Sequence, residues 1–541
     1  MAAGDLRRRL ATASDEERRL PLGLILLSGA VAAAVVSPLV WVVANALEAP
    51  DAFALLTAPT TLEVLVNSGF LVAGVTGGSL IVGVPAAYLT VRTDMPLARP
   101  LTILLAMPLV IPSYIGAFAF VSAFGPRGSL QDLLVPLGVE SLPSIYGLGG
   151  TILVLTLYTY PYVFLTTRAA LKSMDTTLVD AARTLGHDRW AAFRRVTVPQ
   201  IRPAVAAGSL LVALYALSDF GTPAIMRYDV FTRVIFSNYN NILGGGRSLA
   251  AMLSLQLVVV TGVILAVESR VRGSGVEAES PTAHATPVRL GRLRWVATAG
   301  CSLVVLLALA VPLGVLTSWL LQAGQPTTGS FGFEWGYVIN SVGVAAAAAL
   351  ASGLAALPVA YLAARSDHPL AALFERASYI GYAVPGVVMG LALVFFGSHY
   401  GGALYRNGLI LLPLLVFAYV VRFLPQAVGS SRASAEQVQA RLPEAARTLG
   451  RTPAGAFRDV TLPIIAPGVA AGAALVFLTT MKELPVTLML RPAGFDTLVT
   501  RVWTAYGAGY VGQAALPAFV LLAVSALSML LLLRMEEYDV D

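Results

Sequence analysis

A 24-residue polar segment is written twice in this chain, each time between long apolar stretches. Asp180-Ala181-Ala182-Arg183-Thr184-Leu185-Gly186 runs on to Pro199 and Pro203, and Glu444-Ala445-Ala446-Arg447-Thr448-Leu449-Gly450 runs on to Pro463 and Pro467. The separation is 444 − 180 = 264, and Phe193/Phe457 keeps it without a gap. An earlier block also recurs: Asn67-Ser68, Pro85, Ala87-Tyr88-Leu89, Asp94 and Pro112 return as Asn340-Ser341, Pro358, Ala360-Tyr361-Leu362, Asp367 and Pro385, at 340 − 67 = 273. The difference, 273 − 264 = 9, places nine extra residues in the first copy, around Gly125 to Tyr146. The chain is therefore two tandem copies of one unit, and any fold it adopts must serve both.

The solvent of those copies follows from composition. Of 541 residues, 57% are hydrophobic and 12% charged, whereas soluble domains carry about a quarter charged residues. A helix crossing a hydrocarbon core needs roughly 20 apolar residues, and about a dozen such stretches occur. They begin near Leu22, Thr61, Leu101, Gly147, Ile201 and Ala250, then near Leu293, Tyr337, Leu373, Gly408, Ile464 and Gly512. The expected fold is an all-α membrane protein of about 12 transmembrane helices. Six spans per copy is an even number, so both copies insert in the same sense, as parallel repeats about an axis along the membrane normal.

Basic residues orient the array, because Lys and Arg collect on the cytoplasmic side. Arg7, Arg8, Arg9, Arg18 and Arg19 precede the first span, and the loops at 45–60 and 322–336 contain no Lys or Arg. The reading is a multi-pass protein of a prokaryotic plasma (cytoplasmic or inner) membrane with both termini in the cytoplasm. Its organisation reads as a cytoplasmic segment 1–20, a first repeat 21–267, a polar linker 268–292, a second repeat 293–535 and a tail 536–541. The first apolar run lacks a convincing cleavage site and reads as a retained helix. The net charge of +6 is spent on topology and needs no nucleic acid. Cys301 falls inside a span and reads as a small buried apolar residue. His187, His284, His368 and His399 show no ligand spacing, which argues against structural zinc.

Each polar segment has the local grammar of two short helices and a tight turn. Alanines favour the first helix and allow close approach of another backbone. Gly186 and Gly450 fall where a left-handed cap is needed, Asp188 and Thr452 are good N-caps, and Pro453 suits a first helical position. Pro199 and Pro463 are expected to end the second helix, leaving a rigid cytoplasmic hairpin with Phe193 or Phe457 as an aromatic knob. Two matching soluble elements on a membrane protein read as docking surfaces.

The acidic-Ala-Ala, three residues, Gly pattern with a downstream Phe and Pro resembles the coupling loop of permease subunits of ATP-binding-cassette importers. That resemblance covers nearly the whole chain and implies a type I, MetI-like importer architecture. It also implies that Asp180, Ala181, Ala182, Gly186 and Phe193, with Glu444, Ala445, Ala446, Gly450 and Phe457, couple to two copies of a nucleotide-binding subunit. Asp180 stands where Glu is usual. A phosphate-binding loop needs Gly-Lys-Ser/Thr, and the only lysines are Lys172 and Lys482, each after an apolar residue. The chain therefore carries no ATPase site of that kind and is read as a transport subunit, not an enzyme. No cofactor is expected on it, and ATP with Mg belongs to the partner subunits.

Polar clusters follow both hairpins inside the next span: Ser218-Asp219-Phe220-Gly221-Thr222-Pro223, and Lys482-Glu483-Leu484-Pro485. Asp219 aligns with Glu483 at offset 264. Ionisable groups in a span are costly unless paired or facing a cavity, so Ser218, Asp219, Thr222, Lys482 and Glu483 are expected to line a substrate path. The alternative is a structural ion pair of Lys482 with Asp219. Gly221, Pro223 and Pro485 are expected to break their helices. The Lys482 to Pro492 run and Asp219-Phe-Gly-Thr-Pro223 are similar to the ferric-iron branch of the family. Two carboxylates at equivalent positions suit transient contact with a hard trivalent cation, so Asp219 and Glu483 are the candidate metal contacts. Thiamine, polyamine or phosphonate permeases are related alternatives, and an ion-gradient-driven secondary transporter is a rival that leaves the hairpins unexplained. In the family, a periplasmic or extracellular substrate-binding protein docks outside through acidic residues, and Arg227, Arg233, Arg247, Arg491 and Arg501 are the candidate contacts.

Overall fold

A computed structural model describes residues 22–48, 52–126, 128, 130–131, 135–138, 143–240, 246–273, 288–322, 332–366 and 368–538. The expected segment 1–20 with its arginines, His284 and most of the linker, Asp367, the tips of the loops at 45–60 and 322–336, part of the nine-residue insertion and the last three residues lie outside it.

Among the described residues the chain is helical, apart from one isolated bridge between Thr93 and Val288. The first copy comprises α1 (Leu22–Leu47), α2 (Pro59–Arg92), α3 (Ala98–Ala106), α4 (Ser113–Phe124), α5 (Leu148–Ser173), α6 (Thr177–Thr184), α7 (Val198–Ser218), α8 (Gly221–Ile225) and α9 (Gly246–Gly273). The second comprises α10 (Leu293–Val305, running on to Gln322), α11 (Trp335–Arg365), α12 (Pro369–Ser378), α13 (Gly386–Tyr400), α14 (Leu411–Gln437), α15 (Arg441–Thr448), α16 (Leu462–Met481), α17 (Pro485–Leu490) and α18 (Val511–Tyr538). Further short helices join them.

Among the described residues ten helices are long and apolar enough to cross a membrane. The two spans expected near Leu101 and Leu373 are instead bent pairs, turned by 97° between Val110 and Ser113 and by 103° between Ala383 and Gly386. With each pair counted once the total is 12. The cause is local. A residue before proline is pushed out of the α region, and Ile111 (ψ 122°) before Pro112 and Val384 (ψ 106°) before Pro385 are both extended. The repeat thus conserves a break at offset 273, not a straight span.

Within each copy three long helices pack together: α2, α5 and α7 in the first, α11, α14 and α16 in the second. Close approach depends on glycine at one repeated position. A Cβ on Gly208 of α7 would lie 3.0 Å from the Val163 Cα on α5, and one on Gly472 of α16 would lie 2.8 Å from the Ala427 Cα on α14. Without a bulk-water driving force between spans, such small-residue contacts carry much of the packing. The first helix of each copy crosses over. α1 packs on α11, α12 and α13 of the second copy as well as on α9 of its own, while α10 and its continuation pack on α3 and α4 of the first copy and on α18. This reciprocal clasp joins the copies into one bundle.

Candidate functional site

The two hairpins match in detail. Thr177 donates its N–H to the Asp175 carboxylate at 2.9 Å at the start of α6, which holds that carboxyl below its ordinary range. Gly186 has φ +87° and Gly450 φ +88°, the left-handed conformation expected of a C-terminal cap. Asp188 then accepts the Ala191 N–H at 2.7 Å, and Thr452 accepts the Gly455 N–H at 3.1 Å.

Two local expectations are corrected. Pro199 and Pro463 do not end the second helix: a five-residue π turn, Phe193–Thr197 or Phe457–Thr461, leads straight into α7 or α16. Val198 donates its N–H to Phe193 and Leu462 to Phe457, five residues back. The wider turn displaces the carbonyls that a proline ring one residue later would strike. Nor are the phenylalanines free knobs. Phe193 packs edge-on against Tyr88 and Phe457 against Tyr361, both at 5.1 Å between ring centres. The most exposed apolar groups of the hairpins are Leu185 and Leu449, 80% and 85% exposed at equivalent positions. Asp180, Ala181, Glu444 and Ala445 are exposed beside them, Ala446 is half-buried and Ala182 is buried against the hairpin. Sequence reasoning used those leucines only to locate the caps.

At the far end of α7 and α16 the helices break as expected, before α8 and α17. The breaks face a shared cavity of about 210 Å³, lined by Ser113, Ser218, Asp219 and Tyr215 from one copy and by Arg422, Thr479, Lys482 and Glu483 from the other, with Tyr114, Tyr158 and Tyr162 among its walls. Tyr158 and Tyr162 lie near the middle of α5, and Arg422 near the middle of α14, so the cavity sits at mid-depth. Thr222 is buried behind the lining and contributes its backbone N–H, which donates to Asp219 at 2.9 Å.

The copies stabilise their aligned carboxylates by different chemistry. Ser113, directly after the α3/α4 break, donates its hydroxyl to Asp219, and Thr232 donates to the Asp219 carbonyl at 2.7 Å. Gly386 replaces Ser113 at offset 273, and a Cβ there would lie 2.6 Å from both the Arg422 guanidinium and a Glu483 oxygen. That space holds the Arg422–Glu483 ion pair. Glu483 also accepts the N–H groups of Val486 at 3.0 Å and Thr487 at 3.3 Å, at the positive end of α17. At offset 264, Tyr158 stands in the first copy where Arg422 stands in the second. Arg422 was missed, although a lone arginine within an apolar span is itself a signal.

The alternative pairing of Lys482 with Asp219 does not form. Lys482 reaches across to the other copy and donates to the Leu109 carbonyl at 3.0 Å, one turn before the α3/α4 break. Among the described residues no group of three or more His, Cys, Asp or Glu gathers as a metal cage. Asp219 and Glu483 are single carboxylates facing a path, each with protein donors already on its oxygens.

The arginines expected outside fall into distinct environments. Arg501 is 6% exposed, lies over the Tyr337 ring at 5.2 Å and donates to the Gly332 carbonyl at 3.3 Å; buried in this way, it belongs to the packing of the second copy and not to a docking face. Arg233, in the helix Phe231–Asn240, pairs with Asp229 four residues before it, and Arg491 pairs with Asp496 in its own loop. Arg227 is exposed over Tyr146 at 4.7 Å, and Arg247 is exposed on the first turn of α9.

Two clasped copies of a broken-helix bundle, a shared polar cavity at mid-depth and twin polar hairpins define a membrane permease worked by other proteins. Comparison with known proteins agrees: residues 79–273 and 356–537 each match the binding-protein-dependent transport system inner membrane component. The chain belongs to that family and is the multi-pass inner-membrane permease of an ATP-binding-cassette importer, whose partners are a substrate-binding protein and an ATPase. It is 31% identical over 522 residues to the Fe(3+)-transport system permease protein FbpB 2 of Haemophilus influenzae, covering 95% of this chain and 98% of that one. Identity to the ferric transport system permease protein FbpB of Actinobacillus pleuropneumoniae is 25%, over 82% of this chain and 66% of that one. The molybdenum transport system permease protein ModB of Escherichia coli matches at 28%, over 35% of this chain and 82% of its own.

Proposed function

We propose that this chain translocates ferric iron delivered by an extracytoplasmic binding protein, and that two copies of the ATPase, holding ATP and Mg, drive it through the two hairpins. The observation that carries the coupling is the pair of exposed leucines, Leu185 and Leu449, presented identically by two capped hairpins. Asp180, Ala181, Gly186, Glu444, Ala445 and Gly450 frame those contacts, while Ala182, Ala446, Phe193 and Phe457 fix each hairpin to its bundle. Both hairpins and both termini face the cytoplasm in this reading. Residues 21–267 and 293–535 act as the repeats, with 1–20, 268–292 and 536–541 outside them, and the chain itself binds no cofactor.

Closure of the ATPase pair pushes the hairpins, and each push passes through a continuous helix to a carboxylate at its far end. The halves rock about the shared cavity, so that the path alternates between outside and inside. Ser218, Asp219, Lys482 and Glu483 make the transient contacts, and Arg227 and Arg247 are the outer arginines left open to a binding protein. The ferric reading is supported by a relative named for Fe(3+) transport whose match covers 95% of this chain, and by carboxylates that suit a hard cation.

Uptake of radioactive Fe3+ into inside-out-controlled vesicles holding this chain, its ATPase and loaded binding protein tests it. ATP-dependent iron accumulation is expected. ATP-dependent uptake of thiamine, a polyamine, a phosphonate or molybdate without iron would replace the substrate, and uptake without ATP would overturn the coupling.

A further inference from the structure

The duplication supplies an internal control for a second binding site, away from the path. Near the end of α14 that leads into its hairpin, Arg432 pairs with Glu375 of α12 and Glu436 of α14. The first copy has the same helices but keeps only the arginine of this triad. At offset 264 Arg432 becomes Arg168 and Glu436 becomes Lys172; at offset 273 Glu375 becomes Thr102, whose hydroxyl is turned back to the Ala98 carbonyl at 2.8 Å. Both acids are gone and a second cation sits one turn from the first, a mildly unfavourable like-charge pair that an anion would relieve. The Arg168 Nε is buried with no acceptor among the described residues.

The site is also more open. Tyr379, whose hydroxyl approaches Gly429 of α14, becomes Ala106 at offset 273, and Gly429 becomes Leu165. Leu165, Arg168 and Lys172 follow one another at helical spacing on one stripe of α5. Leu165 is 37% exposed, and Ile103 on the neighbouring α3 is 65% exposed. An exposed apolar stripe on a spanning helix faces acyl chains, and cations at its end lie at headgroup level.

We infer that Arg168 and Lys172 bind the phosphate of an anionic phospholipid, whose acyl chain lies along Leu165 and Ile103, and that the second copy has closed the equivalent site with its own Glu375 and Glu436. The lipid supplies to the first copy the negative charge that protein supplies to the second. It thereby steadies the helix end from which the first hairpin springs.

The full chain is purified into nanodiscs of phosphatidylcholine with a trace of photoreactive phosphatidylglycerol, and labelling of α3 and α5 is read by peptide mapping. With about 1 kcal/mol for each cation at a membrane surface, R168Q/K172Q is expected to weaken labelling about 30-fold. T102E/K172E, which rebuilds a triad that already folds in the other half, is expected to abolish the preference for phosphatidylglycerol over a photoreactive phosphatidylcholine while leaving thermal stability unchanged or higher. Labelling that persists in both variants, that shows no preference for the anionic lipid in the parent, or that millimolar inorganic phosphate displaces would overturn the inference.

Discussion

Replacing Arg422 by Met separates burial from pairing at the centre of the bundle. The Glu483 side chain is 3% exposed and that of Arg422 15%, so the carboxylate left behind cannot exchange its partner for bulk water. It keeps the N–H groups of Val486 and Thr487 but loses its cation. Removing one member of a buried pair costs about 3–5 kcal/mol, whereas replacing both with groups of similar volume is often near neutral. R422M should therefore lose about 3–5 kcal/mol and R422M/E483Q much less. The hairpin pair Arg451–Asp459 is the reference: at 3.4 Å, with side chains 64% and 41% exposed, it is worth at most about 1 kcal/mol. The assay is a reversible unfolding titration of the purified chain in mixed micelles, with R451M alongside. If R422M proves no less stable than R451M, or if adding E483Q restores nothing, the argument from an uncompensated intramembrane charge is wrong.

Other consequences are read on the hairpins. L185D/L449D changes only exposed tips, so the chain should fold normally while stimulation of ATPase activity by loaded binding protein falls at least tenfold; full stimulation would remove the leucines from the interface. G186A meets no atom within 4 Å of its new Cβ, so its cost is the left-handed backbone alone, about 1–2 kcal/mol, and should appear as faster hydrogen exchange over residues 177–192 without a change in global stability. The N–H of Thr177 keeps the Asp175 carboxyl ionised below its ordinary range. A depressed folded-state value contributes stability above the unfolded value and loses it as pH falls through the folded one. Protection of α6 should hold from neutral pH to the ordinary carboxylate range and fall only below it; loss between pH 8 and 6 would assign its control to another group.

The parts of this fold that were legible in the sequence are those decided within a few residues. Hydropathy located the spans, and the glycines and N-caps located the hairpins, because Gly186, Asp188 and their partners act on their own backbone. The helix breaks at Gly221 and Pro485 were legible for the same reason. Pro112 and Pro385 were visible as a repeat, yet a right-angle bend depends on what the second arm packs against, and hydropathy averages over it. The π turns before Pro199 and Pro463 were hidden because proline has two outcomes, an end or a wider turn, and packing of Phe193 on Tyr88 selects the second. The clasp of α1 and α10 across the copies was beyond reach, since hydropathy marks a span without saying which helices it packs on. The buried state of Arg501 shows the limit of reading a loop charge as surface: an aromatic ring and a carbonyl can take up an arginine whole. The cavity was half legible, with its two carboxylates aligned by the offset and the arginine that neutralises one of them overlooked.

The central claim is that each hairpin tip seats on a separate ATPase subunit, and cysteine cross-linking reads it directly. The native Cys301 is buried, so thiols placed by L185C and L449C are the accessible ones for a short bifunctional reagent in the assembled transporter. The account predicts that each position captures one ATPase subunit, two per chain in the double variant, with yields that change when ATP is added. Capture of the extracytoplasmic binding protein instead, or of no partner from either tip while the assembled complex remains active, would contradict it.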